Sequence, residues 1–99
     1  MTDEKTISWV FLSIAIASDI DPADFRGISM IGDGINHAVP SHKELQTSIS
    51  WLIEKGLILK HSNKYELAEK GKKEFENVSH RNIGYLKMME NLELFLKTL

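Results

Sequence analysis

The chain has 99 residues, of which 42% are hydrophobic and 26% are charged, and its formal net charge is −2. These values are typical of one folded globular domain spanning residues 1–99, and they exclude a disordered or fibrous chain. The chain contains no cysteine, which excludes disulfides and thiolate chemistry, so we expect a cytoplasmic protein.

The charges are distributed unevenly along the chain. Residues 1–39 contain two basic and six acidic residues, a net charge of −4. Residues 40–87 contain nine basic and six acidic residues, a net charge of +3. A mild basic excess of this kind is compatible with nucleic-acid binding, and an ordinary solvated surface has much the same balance.

The first predicted element is a helix over the apolar run Ile7 to Ala17, which only Ser8 and Ser13 interrupt. Thr2 or Asp3 is suited to cap it. The run is too short for a spanning helix of roughly 20 residues, and the acidic residues before it are unlike a secretory signal. We therefore expect a helix buried on most sides and no membrane partner.

The second predicted helix begins at Asp21-Pro22, which reads as an N-cap followed by proline at the first helical position. It should end before Pro40, because the residue before a proline is pushed out of the helical region. Gly32 predicts an irregularity or break. The expected inward residues are Phe25, Ile28, Ile31 and Ile35.

The third predicted helix spans residues 41–55. Ser41 and Glu44 form an S-x-x-E capping box at its start, and Gly56 supplies a left-handed residue after its end. At 100° per residue, one side of this helix is apolar and the other is polar. The apolar side comprises Leu45, Ile49, Leu52 and Ile53.

The segment 57–67 reads as a β-hairpin, with Ser62-Asn63 as the loop and Asn63 able to take positive φ. A helix over residues 69–78 should follow. A last helix, from Arg81 to about Thr98 within the segment 80–98, carries an apolar stripe wider than a coiled-coil seam. It either folds back on the first helix or packs against a second copy, and we favour a homodimer. The predicted interface residues are Trp9, Phe11, Tyr85, Met88, Leu92, Phe95 and Leu99.

A capped helix followed by a hairpin resembles the recognition helix and wing of a winged helix-turn-helix domain of the small bacterial transcription-regulator type. Residues 52–58 are similar to its L-x-x-K-G-L-I/V helix exit, and residues 65–71 to its Y-x-L-T-x-K-G wing exit. Ala68 replaces the usual threonine. The resemblance implies an α+β, mostly helical fold with a two-stranded wing and additional N- and C-terminal helices.

The resemblance also implies a regulator that binds double-stranded DNA, with a helix in the major groove and the wing on the backbone. The residues expected to face the bases are Lys43, Gln46, Thr47 and Ser50. The residues expected to face phosphate are Lys60, His61 and Lys64. Glutamine suits adenine, whereas lysine provides sequence-independent, salt-sensitive attraction.

Other functions have less support in the sequence. A winged-helix module that binds protein would use the same helix and Trp51, which lies off the apolar stripe. A ligand-sensing subunit would hold a small apolar effector of unknown identity. Asp33, His37 and His42 are too few for a zinc site, and no catalytic motif is present. We therefore expect no metal, no cofactor and no enzyme.

Overall fold

The structure, a computed structural model, describes residues 3–79 and 83–99. Over these residues the fold is α+β and mostly helical, as predicted, and no helix among them is long and apolar enough to cross a membrane. The elements are α1 (Glu4–Ala17), α2 (Phe25–Asn36), α3 (His42–Glu54), β1 (Ile58–His61), β2 (Lys64–Leu67), α4 (Glu69–Ser79) and α5 (Tyr85–Leu96).

Helix α1 lies at the centre of the domain. Its N-cap is Asp3, whose carboxylate accepts the Thr6 N–H at 2.9 Å, and this hydrogen bond lowers the pKa of Asp3. Every residue from Ile7 to Ala15 is buried, because α1 packs against α2, α3 and α5. The predicted burial on most sides is confirmed. Thr2, the other proposed cap, lies outside the described residues.

Helix α2 begins later than predicted, because its N-cap is Asp24 and not Asp21. The chain is still extended at Ala23, which forms an antiparallel bridge with Tyr65. Each of these two residues donates its N–H to the other's carbonyl at 2.8 Å. This bridge holds the chain in an extended conformation until residue 24, so the helix starts after it.

The predicted break at Gly32 does not occur, and α2 continues to Asn36. The indole Nε1 of Trp9 donates to the Gly32 carbonyl at 3.0 Å. A Cβ added at Gly32 would lie 3.3 Å from the Ser13 hydroxyl and 3.3 Å from Pro40. Glycine at this position therefore permits a close approach of α2 to α1 within a continuous helix.

The hairpin is confirmed, with β1 and β2 paired antiparallel so that Lys60 faces Tyr65 and His61 faces Lys64. The loop conformation differs from the prediction, because Ser62 has the positive φ of 58° and Asn63 does not. A two-residue hairpin loop needs positive φ at one or both central residues. Here the first central residue adopts it.

Helix α5 is shorter than predicted. It begins after Gly84, and residues 80–82, including Arg81, lie outside the described residues. Ser79, predicted to cap this helix, is the last residue of α4. The α5 residues Met88, Met89, Leu92 and Leu96 are buried.

Four of the seven residues predicted to form a dimer interface are buried inside the domain. Phe11 is 1% exposed and Leu92 is 0% exposed, and Trp9 and Met88 are buried as well. Helix α5 folds back on α1, so these four side chains fill the domain's own core. Phe95 is half-buried, whereas Tyr85 (51%) and Leu99 (38%) remain exposed.

We predict that Gly71→Ala destabilises the domain by about 1–3 kcal/mol, the typical range for overpacking. A Cβ at Gly71 would lie 2.2 Å from the Leu57 carbonyl oxygen, which already accepts the Ala68 N–H at 2.9 Å. The substitution therefore forces α4 away from the hairpin. Urea unfolding followed by circular dichroism measures the loss.

The matched control is Gly34→Ala, since a Cβ at Gly34 meets nothing within 4 Å. Alanine is the better helix former, so this variant should be stabilised by roughly 0.5–1 kcal/mol. Equal stability of the two variants would contradict the packing of α4 on the hairpin.

Candidate nucleic-acid interface

Helix α3 is fixed at both ends by local hydrogen bonds. The Ser41 hydroxyl accepts the Glu44 N–H at 3.0 Å, and the Glu44 carboxylate accepts the Ser41 N–H at 2.8 Å. The predicted capping box is thus confirmed. At the other end Gly56 has a φ of 75°, which ends the helix as predicted.

One side of α3 is buried and the opposite side faces solvent. Leu45, Ser48, Ile49 and Leu52 are buried, and α3 packs against α1 through this side. Ile53, predicted on the apolar side, is 39% exposed. The four residues predicted to face DNA bases lie on the outer side and form what we call the α3 ridge. It comprises Lys43, Gln46 and Ser50, which are exposed, and Thr47, which is half-buried.

A groove of about 500 Å³ separates α3 from the hairpin, and we call it the hairpin groove. Of the described residues that line it, Lys60 is the one charged residue. The hairpin groove is lined by Phe25, Gln46, Thr47, Ile49, Ser50, Ile53, Lys60 and Tyr65. Among the described residues, the lining of the hairpin groove therefore carries a positive charge, that of Lys60, beside polar and apolar side chains.

Two aromatic rings form one wall of the hairpin groove. Phe25 stacks on Tyr65, with ring centroids 5.6 Å apart and planes inclined at 27°. His42 meets Phe25 edge-on at 5.3 Å. Because Tyr65 is also bridged to Ala23, this wall connects the start of α2 to the hairpin.

The three residues predicted to face phosphate do not share one surface. Side chains alternate between the two faces of a strand, so Lys60 and its cross-strand partner Tyr65 lie on the groove side. His61 and Lys64 lie together on the opposite face. The His61 imidazole also pairs with the Glu66 carboxylate. We therefore retain Lys60 as the hairpin residue best placed beside the α3 ridge.

The other flank of α3 carries a second groove of about 450 Å³, which we call the acidic groove. It shares Thr47 and Ser50 with the hairpin groove. The acidic groove is lined by Glu4, Ile7, Thr47, Ser50, Trp51, Glu54, Leu96, Lys97 and Leu99. The two flanks of α3 thus differ in charge.

Sequence reasoning missed the Phe25–Tyr65 wall. The sequence predicts Tyr65 as part of the wing exit and Phe25 on the inward side of α2. Their stacking depends on the bridge at Ala23, which no local pattern encodes. The available signal was Tyr65 itself, because an aromatic residue that pairs across the hairpin with Lys60 lies on the same face as that lysine.

His37 and His42 each have a structural position near this region. His37 is the C-cap of α2, with a left-handed φ of 54°. His42 lies at the start of α3 against Phe25. Among residues 3–79 and 83–99, no three His, Asp or Glu side chains are grouped so as to hold a metal ion.

Comparisons with known proteins add no family assignment. No protein-family model, curated protein or solved structure matches the chain.

We predict that Ser41→Ala lowers the free energy of unfolding by about 1 kcal/mol, because the Glu44 N–H loses its acceptor. Ser41→Asn keeps a side-chain acceptor, so its free energy of unfolding should lie within about 0.3 kcal/mol of that of the original protein. Urea unfolding distinguishes the two. Identical losses would show that the serine hydroxyl does not anchor the start of α3.

Proposed function

We propose that this domain is a winged helix-turn-helix protein that binds double-stranded DNA and regulates transcription. Three helices followed by a hairpin are the parts that a minimal winged helix requires, and α1, α2, α3 and β1–β2 supply them in that order. In this proposal α3 enters the major groove and the hairpin lies along the backbone.

The observation that carries the proposal is the charge difference between the flanks of α3. The α3 ridge presents polar side chains to solvent, and the hairpin groove beside it contains Lys60. The acidic groove on the other flank contains Glu4 and Glu54 together with Lys97, which is paired with Glu93. Phosphates are anions, so a duplex lying on α3 is favoured on the hairpin side.

The α3 ridge and Lys60 of the hairpin would contact DNA in different ways. Gln46 offers an amide that can bond adenine bidentately in the major groove. Lys43 and Ser50 offer further donors to base edges or phosphate. Lys60 neutralises phosphate without reading sequence. With so few cations near the ridge, we expect modest affinity and a shallow dependence on salt, because each neutralised phosphate adds only about one to the slope of log affinity against log salt.

We predict that Lys60→Glu weakens binding to a labelled random duplex about tenfold or more at low salt, since it reverses the charge of the hairpin groove. It should also lower the slope of log affinity against log salt by about one. Lys64→Glu should have a smaller effect, because Lys64 lies on the opposite face of the hairpin. Fluorescence anisotropy at several salt concentrations measures both quantities.

The control is Lys73→Glu, which makes the same charge change on α4, outside the residues that line the hairpin groove. It should alter affinity far less than Lys60→Glu. If the three variants bind alike, the hairpin groove does not face DNA. If the original protein binds no duplex even at low salt, the DNA proposal is wrong.

The second candidate function is a protein-interaction module that does not bind DNA. It is favoured by Trp51, which is half-buried on the flank of α3 that also carries Glu54. On this alternative Trp51→Ala is the damaging substitution, and the lysine substitutions are without effect.

A homodimer remains part of the DNA proposal, because two-fold DNA sites are read by two-fold proteins. With Trp9, Phe11, Met88 and Leu92 buried, the large apolar side chains still exposed on α5 are Tyr85, Leu86 and Leu94. Light scattering at tens of micromolar protein, roughly the range in which weak dimers associate, tests this prediction. A dimer that Leu86→Glu with Leu94→Glu disrupts would support it, and a monomer would contradict it.

A further inference from the structure

The acidic groove offers apolar surface that the DNA proposal does not use. Ile7 and Leu96 are buried and offer almost no surface, whereas Trp51 is half-buried and Leu99 is 38% exposed. Trp51 and Leu99 therefore form the apolar floor of the groove. The volume of the groove lies within the roughly 300–1,000 Å³ typical of ligand sites. Its apolar floor is therefore suited to receive an apolar side chain.

The rim of the acidic groove is negative. Glu4 lies in the first turn of α1, and Glu54 is the exposed last residue of α3. Lys97 also lines the groove, but its ammonium lies 3.2 Å from the Glu93 carboxylate, which offsets its charge. The groove therefore repels phosphate and attracts a cation.

The Trp51 ring already has a cationic partner within the domain. The Lys55 ammonium lies 5.6 Å from the centroid of the Trp51 ring, a distance at which a cation is attracted to the face of an indole. The preference of the groove for a cation therefore rests on the rim carboxylates Glu4 and Glu54, and its preference for an apolar side chain rests on Trp51 and Leu99.

We propose that the acidic groove binds a peptide segment of another protein in which an apolar side chain is flanked by lysine or arginine. The apolar side chain lies on the floor formed by Trp51 and Leu99. The flanking cations pair with Glu4 and Glu54. This proposal does not depend on whether the domain binds DNA.

The test uses a fluorescein-labelled short peptide of alternating leucine and lysine, with anisotropy as the measurement at low ionic strength. The peptide should bind the original protein. Glu4→Gln with Glu54→Gln should weaken binding about fivefold, since exposed ion pairs are individually weak. Trp51→Ala should weaken it about tenfold, because an aromatic anchor is lost.

Three controls make the test specific. Glu69→Gln with Glu90→Gln removes the same charge from α4 and α5, away from the groove, and should leave affinity within about twofold. A peptide with glutamate in place of lysine should not bind. Lys60→Glu, which is expected to impair DNA binding, should leave peptide affinity within about twofold because Lys60 does not line the acidic groove.

Several results would overturn the proposal. One is no binding of the leucine–lysine peptide at low ionic strength. Others are equal weakening by the two pairs of glutamine substitutions, or equal binding of the glutamate peptide. Circular dichroism establishes whether Trp51→Ala remains folded, and the Glu4 and Glu54 substitutions test the rim even if it does not.

Discussion

The burial of α1 on every side is the constraint on which the rest of the structure depends. Nine consecutive buried residues, Ile7 to Ala15, span more than two helical turns, so this segment has no solvent face. Other elements must surround it, and α2, α3 and α5 do so. The contact with α2 is close because Gly32 has no side chain, and the Trp9 indole N–H donates a hydrogen bond to the Gly32 carbonyl. Because the apolar side of α3 packs against α1, the polar side of α3 faces solvent.

The two flanks of α3 then acquire different properties from the elements beside them. The hairpin brings Lys60 and the Phe25–Tyr65 wall to one flank. The start of α1 and the end of α5 bring Glu4 and Leu96 to the other. A single polar ridge therefore separates a groove suited to phosphate from one suited to cationic, apolar peptide. The proposed functions occupy different flanks, although both include Thr47 and Ser50.

Local signals in the sequence predicted the parts of the fold that local interactions determine. The capping box at Ser41, the end of α3 at Gly56 and the hairpin each depend on residues within a few positions. The start of α2 was missed because Ala23 pairs with Tyr65, far along the chain. The apolar stripe of α5 was recognised, but periodicity does not distinguish a stripe that covers α1 from one that covers a second copy. The resemblance assigns Lys60 and Lys64 to the same DNA-facing surface, but strand alternation places them on opposite faces of the hairpin.

In the proposed function, α3 meets DNA through its ridge and hairpin flank and not through its acidic flank. Chemical-shift mapping of the ¹⁵N-labelled protein, titrated with a random duplex at low salt, distinguishes the two flanks. We expect the amide signals of Gln46, Ser50 and Lys60 to move, while those of Glu4 and Leu96 stay unchanged. Changes confined to Glu4, Trp51 and Leu96, or no changes at all, would contradict this proposal.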